Sequence, residues 1–131
     1  MKKVLVLCTG NSCRSIIAEA LINARLPLAL AVSAGSAPKG HVHPFAQEVL
    51  RRHGIWRPDY RSKSIEEVQG PFDLVVTVCD NAREACPVWS GVRSIHLPFM
   101  DPDGQGYEAF ERTLRDIEEK LLPKIKKELD A

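Results

Sequence analysis

The stretch VLVLCTGNSCRSIIAEA, residues 4–20, decides the fold and gathers reactive groups at one turn. Its continuous apolar run, residues 4–7, is typical of a strand that is buried on both faces. Apolar residues after Arg14 recur at helical spacing, so residues 14–24 predict a helix. The polar loop between the two elements begins at Cys8, which places a thiol and a permanent cation at one strand-to-helix turn.

The rest of the chain alternates strands with helices. Further strands are predicted at 28–33, 72–78 and 93–97, and further helices at 44–53, at 64–68 and from 107 onward. This alternation predicts a single α/β domain over residues 1–131, with a four-stranded parallel sheet and helices on both faces. Ligands of such sheets bind at the carboxyl ends of the strands, where Cys8, Cys79 and Asp101 fall.

Composition argues against several classes of partner and location. The 131 residues include 18 Lys+Arg and 17 Asp+Glu, so neither a nucleic acid nor a membrane is an expected partner. The apolar run near the N-terminus is too short for a secretory signal or a membrane span, which favours the cytoplasm. Because thiols stay reduced there, the four cysteines favour catalytic, redox or metal roles over structural disulfides.

The loop that follows the first strand has the features of an oxyanion site. Backbone N–H groups at a helix N-terminus form an anion nest, and the Arg14 guanidinium matches two oxygens of a tetrahedral oxyanion. Ser15 can donate a hydrogen bond to the sulfur of Cys8. Such surroundings also stabilise a thiolate, so Cys8 is the predicted nucleophile. The predicted substrate-binding residues are Thr9, Gly10, Asn11, Ser12, Cys13, Arg14 and Ser15.

Two features beyond the loop extend this chemistry. The segment DPDG, residues 101–104, is ordinary turn sequence, but beside an oxyanion loop Asp101 is a candidate acid for protonating a leaving oxygen. Cys79 and Cys86 follow the third strand. On a helix they would stand roughly 10 Å apart at 1.5 Å per residue, too far for a disulfide unless the segment rearranges. That spacing indicates a redox switch.

These motifs together resemble a known family. The pattern C-x5-R followed by serine is the phosphate-binding loop of cysteine-dependent phosphatases, and its position at the first strand resembles the low-molecular-weight tyrosine phosphatase fold. The later VVT-x-CD, the second cysteine before a proline, and the Asp-Pro make nearly the whole chain similar to thioredoxin-coupled arsenate reductases.

The resemblance implies a role for each reactive residue. Cys8 would attack arsenate held by the loop and Arg14, and Asp101 would protonate the leaving oxygen. Cys79 would then attack Cys8, and Cys86 would attack Cys79. Thioredoxin would reduce the resulting Cys79–Cys86 disulfide.

The resemblance also implies partners. These are arsenate as substrate, phosphate and sulfate as competing oxyanions, thioredoxin as reductant, no tightly bound cofactor, a monomeric state and weak phosphatase side activity. Some family members hold a potassium ion beside the loop, at positions that Asn11, Glu19 and Ser33 match. This ion is doubtful here, because Ile65 stands where an acidic residue is expected after Ser64.

Other classes remain open at this point. A low-molecular-weight tyrosine phosphatase would leave Cys79 and Cys86 without a role, and Asp103 stands where that family usually has a tyrosine. A zinc module on the four cysteines, which adds Cys13, lacks the usual C-x2-C pair, so no metal ligand is predicted. A non-catalytic anion sensor on the same fold is the fourth class.

Overall fold

Four parallel strands form the centre of the protein. We describe a computed structural model over residues 1–80 and 87–130, so Cys86 and the predicted helical spacing before it lie outside the described residues. The elements in chain order are β1 (Lys2–Cys8), α1 (Arg14–Arg25), β2 (Ala29–Gly35), α2 (Pro44–Arg52), a 3-10 helix (Ile65–Glu67), β3 (Leu74–Thr77), β4 (Ser94–His96) and α3 (Tyr107–Asp130).

The register of the sheet brings the ends of its strands together. Its order is β2-β1-β3-β4, and every pairing is parallel. Cys8, the last residue of β1, pairs with Gly35 at the end of β2, and Leu7 pairs with Thr77 at the end of β3. The predicted parallel sheet is confirmed, and the first turn opens at its carboxyl edge.

Side chains of β1 alternate between two apolar clusters, as the pleat of a strand requires. Val4 and Val6 belong to the larger cluster, to which all three α-helices contribute. Leu5 and Leu7 belong to the smaller one, against which Ile65 of the 3-10 helix packs. Among the described residues the sheet is thus covered on both faces, the second by the short helix and neighbouring loop residues.

Helix α3, predicted from residue 107 onward, buries one apolar stripe. Its buried members are Phe110, Leu114, Ile117, Leu121 and Ile125. Steps of three and four residues keep these side chains on one side of the helix, which packs against α1 and α2. No helix within residues 1–80 and 87–130 is long and apolar enough to cross a membrane.

The ends of three strands differ from the sequence expectation. β2 runs two residues beyond Ser33, because its pairing with β1 continues to Gly35, whose N–H donates to the carbonyl of Lys63 at 2.9 Å. β3 and β4 are shorter than their apolar runs, because only the residues paired with a neighbouring strand belong to the sheet.

Candidate active site

The loop between β1 and α1 has two positions that restrict the residue type. Asn11 has a φ of 46°, in the left-handed region that asparagine adopts more readily than most residues. Gly35 faces the loop so closely that a Cβ there would lie 2.4 Å from the carbonyl oxygen of Thr9. The end of β2 therefore packs against the loop only because this position is glycine.

Cys8 lies in a small cavity of about 130 Å³ at this turn. Its Sγ is 2.9 Å from the hydroxyl of Ser15 and accepts a hydrogen bond from the backbone N–H of Asn11 at 3.3 Å. Both contacts suit a thiolate. The cavity is lined by Cys8, Thr9, Gly10, Asn11, Ser12, Cys13, Arg14, Ala37, Lys39 and Asp101.

Arg14 and Asp101 meet at the wall of the cavity. The guanidinium is almost fully buried and donates from Nη1 to the carbonyl of Phe99 at 3.1 Å. Its Nη2 lies 3.7 Å from Oδ2 of Asp101, while Oδ1 of Asp101 accepts the backbone N–H of Asp103 at 3.0 Å. The structure thus places a candidate acid beside the predicted oxyanion fork, although 85 residues separate Arg14 from Phe99 in the sequence.

A chain of buried hydrogen bonds supports the loop from behind. The Asn11 amide donates from Nδ2 to Ser15 at 2.7 Å and to Ser33 at 2.9 Å, and Ser33 donates to Glu19 at 2.6 Å. The other end of the amide, Oδ1, accepts the backbone N–H of Lys63 at 2.9 Å, which fixes its orientation. Because the Ser15 oxygen already accepts from Asn11, its own hydrogen can point to the sulfur of Cys8.

Glu19 is the only carboxylate in this chain of hydrogen bonds. Burial raises its pKa to about 7, and the Ser33 hydrogen bond and the charge of Lys63 oppose that rise only in part. Asn11, Ser33 and Glu19 are bonded to one another, and Ile65 packs in the apolar cluster instead of supplying a ligand. These side chains therefore suit a hydrogen-bonded support for the loop better than they suit the ligands of a potassium ion.

Cys13 differs chemically from Cys8. It is buried, and desolvation, reinforced by the charges of Asp101 and Asp103, raises its pKa to about 12. A thiol with that pKa stays protonated at neutral pH. Cys13 also makes no side-chain hydrogen bond to the first turn of α1, although it is the N-cap residue. Its side chain therefore fits packing within the loop and not nucleophilic attack.

Cys79 reaches the same edge of the sheet as Cys8. Val78 donates its N–H to the carbonyl of Leu7 at 3.0 Å, so the next residue, Cys79, lies near the end of β1. Cys79 is fully buried and disulfide-bonded, whereas Cys8 and Cys13 carry free thiols. The described part of the chain contains no cluster of three or more His, Cys, Asp or Glu side chains that could hold a metal ion.

Sequence reasoning missed two residues that line the cavity, Ala37 and Lys39. Both lie in the loop after β2, where Ala37 donates its N–H to the carbonyl of Thr9 and Lys39 to that of Gly10, each at 2.9 Å. Their position at the carboxyl end of a strand was a usable signal, because ligands of parallel sheets bind at that edge.

The pKa of Glu19 predicts a pH-dependent stability. The folded protein retains the Glu19 proton that the unfolded chain releases between pH 4.5 and about 7, so the contribution of Glu19 to stability falls as pH rises through that window. Glu19→Gln removes this loss. The difference in unfolding free energy between variant and parent should therefore grow in favour of the variant by up to about 3 kcal/mol from about pH 5 to about pH 8.

Denaturant titration at both pH values, under reducing conditions, measures this gain. Glu118→Gln is the control, because that carboxylate is exposed and pairs with Arg25 far along α1 from the loop. If the unfolding free energies of Glu19→Gln and the parent differ by the same amount at both pH values, the raised pKa assigned to Glu19 is wrong.

Comparison with known proteins shows which families share this sequence and fold. The model of the family described as Low molecular weight phosphotyrosine protein phosphatase matches residues 3–131. An arsenate reductase of Brevibacillus brevis is 35% identical over 118 residues, which cover 88% of this chain and 88% of that protein.

Solved structures agree with the sequence matches. The arsenate reductase from Archaeoglobus fulgidus superimposes with a TM-score of 0.84 and 30% identity, covering 94% of this chain and 98% of that one. A low molecular weight protein tyrosine phosphatase from T. tengcongensis gives 0.77 and 26%, covering 97% and 99%. The chain belongs to the low molecular weight phosphotyrosine protein phosphatase family and, within it, to the arsenate reductases.

Proposed function

We propose that the protein reduces arsenate to arsenite through a three-cysteine relay that thioredoxin regenerates. The observation that carries the proposal is the surroundings of Cys8: a free thiol hydrogen-bonded by Ser15 and Asn11, in a cavity walled by Arg14 and Asp101. Cavity size, the oxyanion fork and the kinship to arsenate reductases all support an inorganic oxyanion as substrate.

The first step is covalent attack on arsenic. The Cys8 thiolate forms a bond to As(V) while one hydroxyl of the arsenate, protonated by Asp101, leaves as water. Arg14 and the N-terminus of α1 hold the remaining oxygens and their charge. Phosphate and sulfate share the tetrahedral shape and charge, so they compete for the same cavity.

Two thiol exchanges complete the reduction. Cys79 attacks the Cys8 sulfur, the electron pair of the sulfur–arsenic bond stays with arsenic, and arsenite leaves as As(III). Cys86 then attacks Cys79 and releases the Cys8 thiolate. Thioredoxin returns two electrons and two protons to the Cys79–Cys86 disulfide. The burial of Cys79 at the edge where Cys8 lies supports the first exchange.

This cycle belongs in a compartment that keeps thiols reduced. Cys8 must start each turnover as a thiol, and thioredoxin must regenerate the relay, which suits the cytoplasm. The reaction uses a single chain, so we propose a monomer.

Replacing the nucleophile should abolish the reaction. Cys8→Ser is expected to reduce thioredoxin-coupled arsenate turnover to background, because a serine hydroxyl cannot form the disulfide with Cys79. Cys13→Ser is the matched comparison and should retain a measurable rate, because the protonated Cys13 thiol takes no step. Oxidation of thioredoxin after arsenate addition is the readout. Turnover by Cys8→Ser at even about a tenth of the parent rate would exclude the mechanism.

A weak phosphatase activity should separate the two halves of the chemistry. Hydrolysis of an aryl phosphate needs the cavity and Asp101 but no redox step, so it should persist in Cys79→Ser and Cys86→Ser, which lose arsenate turnover. Asp101→Asn should slow both reactions by about 10²-fold or more, since both leaving groups need a proton. Steady-state assays with both substrates test this division. Loss of phosphatase activity in Cys79→Ser would contradict it.

A further inference from the structure

Three polar side chains outside the proposed relay join the loops on either side of the cavity. We call them the clamp: Lys39 in the loop after β2, His43 before α2, and Asp103 in the loop between β4 and α3. Lys39 Nζ forms an ion pair and hydrogen bond with Oδ2 of Asp103. The His43 Nε2 lies 3.3 Å from Oδ1 of the same carboxylate. The Asp103 side chain thus joins its own loop to the loop between β2 and α2, across 64 residues of sequence from Lys39.

Lys39 is fixed to the floor of the cavity. Its backbone N–H donates to the carbonyl of Gly10 at 2.9 Å. Its side-chain stem lies over the same glycine, where an added Cβ would be 3.3 Å from Cε of Lys39. The ammonium therefore reaches Asp103 from an anchored stem. The pair is ionised at neutral pH: the hydrogen bond to Lys39 lowers the pKa of Asp103, and the same bond raises the pKa of Lys39.

His43 contributes a fixed donor without needing a charge. Its Nδ1 accepts the backbone N–H of Phe45 at 3.0 Å as the N-cap of α2, so in the neutral ring the proton resides on Nε2, which faces Asp103. The ring packs against Phe110 with centroids 4.6 Å apart and a tilt of 36°. The backbone N–H of His43 donates to the carbonyl of Ser12 at 3.0 Å. This side of the clamp is anchored in the core and in the active-site loop.

Asp103 also contacts the candidate acid, Asp101. Its backbone N–H donates to Oδ1 of Asp101 at 3.0 Å, and Oδ2 of Asp101 faces Arg14. Lys39 and Asp101 both line the cavity, and Asp103 connects these two walls. None of the described residues lining the cavity is aromatic, so none of them can stack an aromatic ring on an aryl group.

We propose that Asp103, held between Lys39 and His43, is a positioning and specificity residue that favours a free inorganic oxyanion over an aryl phosphate ester. An ester must extend its aryl group out of the cavity between the walls that the clamp connects, whereas arsenate has no such group. The proposal deepens the proposed function, because it concerns the substrate class of the same cavity.

Binding that requires no turnover tests the clamp. All variants, and the parent used here, carry Cys79→Ser, so the first thiol exchange cannot follow arsenate binding. The reduced protein is alkylated with iodoacetamide, the modified Cys8 peptide is followed by mass spectrometry, and protection gives the Kd of inorganic arsenate and of phenylphosphonate. Asp103→Asn removes the ion pair but keeps the backbone hydrogen bond to Asp101. Lys39→Met removes the charge but keeps the stem over Gly10. Glu118→Gln breaks another exposed pair, with Arg25, and serves as the control.

In each clamp variant the parent's preference for arsenate, the ratio of the phenylphosphonate Kd to the arsenate Kd, should fall about fivefold, the upper end for an exposed ion pair. The double variant should show no further fall, because the two substitutions remove one interaction. The control should match the parent. A fall of less than about twofold in either variant, or additive falls in the double variant, overturns the proposal. Failure of the proposed arsenate reduction would instead appear as absent thioredoxin oxidation while these binding ratios still shift.

Discussion

The hydrogen bonds of the Asn11 side chain hold the active-site loop in its shape. Asn11 takes a left-handed conformation, and its amide connects Ser15, Ser33 and the backbone of Lys63. Every group in this set is buried or half-buried, so a lost partner would leave a polar atom without water. Because Asn11 occupies Ser15 as an acceptor, the Ser15 hydroxyl is directed to the sulfur. The geometry around the proposed nucleophile, Cys8, therefore depends on one amide.

The same loop serves two kinds of chemistry within one family. A thiolate beside an anion nest and an acid is sufficient for attack on phosphorus or arsenic. What differs is the fate of the adduct: a phosphoryl group leaves by hydrolysis, whereas arsenic can accept an electron pair when a second thiol attacks the sulfur. In the proposed function, the loop, Arg14 and Asp101 therefore carry the oxyanion chemistry, and the cysteines that follow β3 carry the redox chemistry.

Local sequence determined most of the fold and the centre of the site. The apolar run of β1, the polar loop and the helix after Arg14 are adjacent, so periodicity and motif spacing sufficed to predict them. Asp101 was predictable because the end of a parallel strand points to the same edge. Contacts between distant segments were not. Burial of Glu19, the approach of Gly35 to Thr9, and the clamp all depend on how β2 and the later loops pack. A sequence pattern does not reveal how closely such segments approach one another in the folded protein.

The most direct test of the central claim isolates the first thiol exchange. Fully reduced Cys86→Ser protein is mixed with arsenate in the absence of thioredoxin, arsenite is quantified, and the disulfides are mapped by mass spectrometry. We expect one arsenite released per chain and a disulfide between Cys8 and Cys79, since the next thiol is missing. Arsenite release with Cys79 still a free thiol, or no arsenite from a correctly folded variant, would contradict the proposed relay.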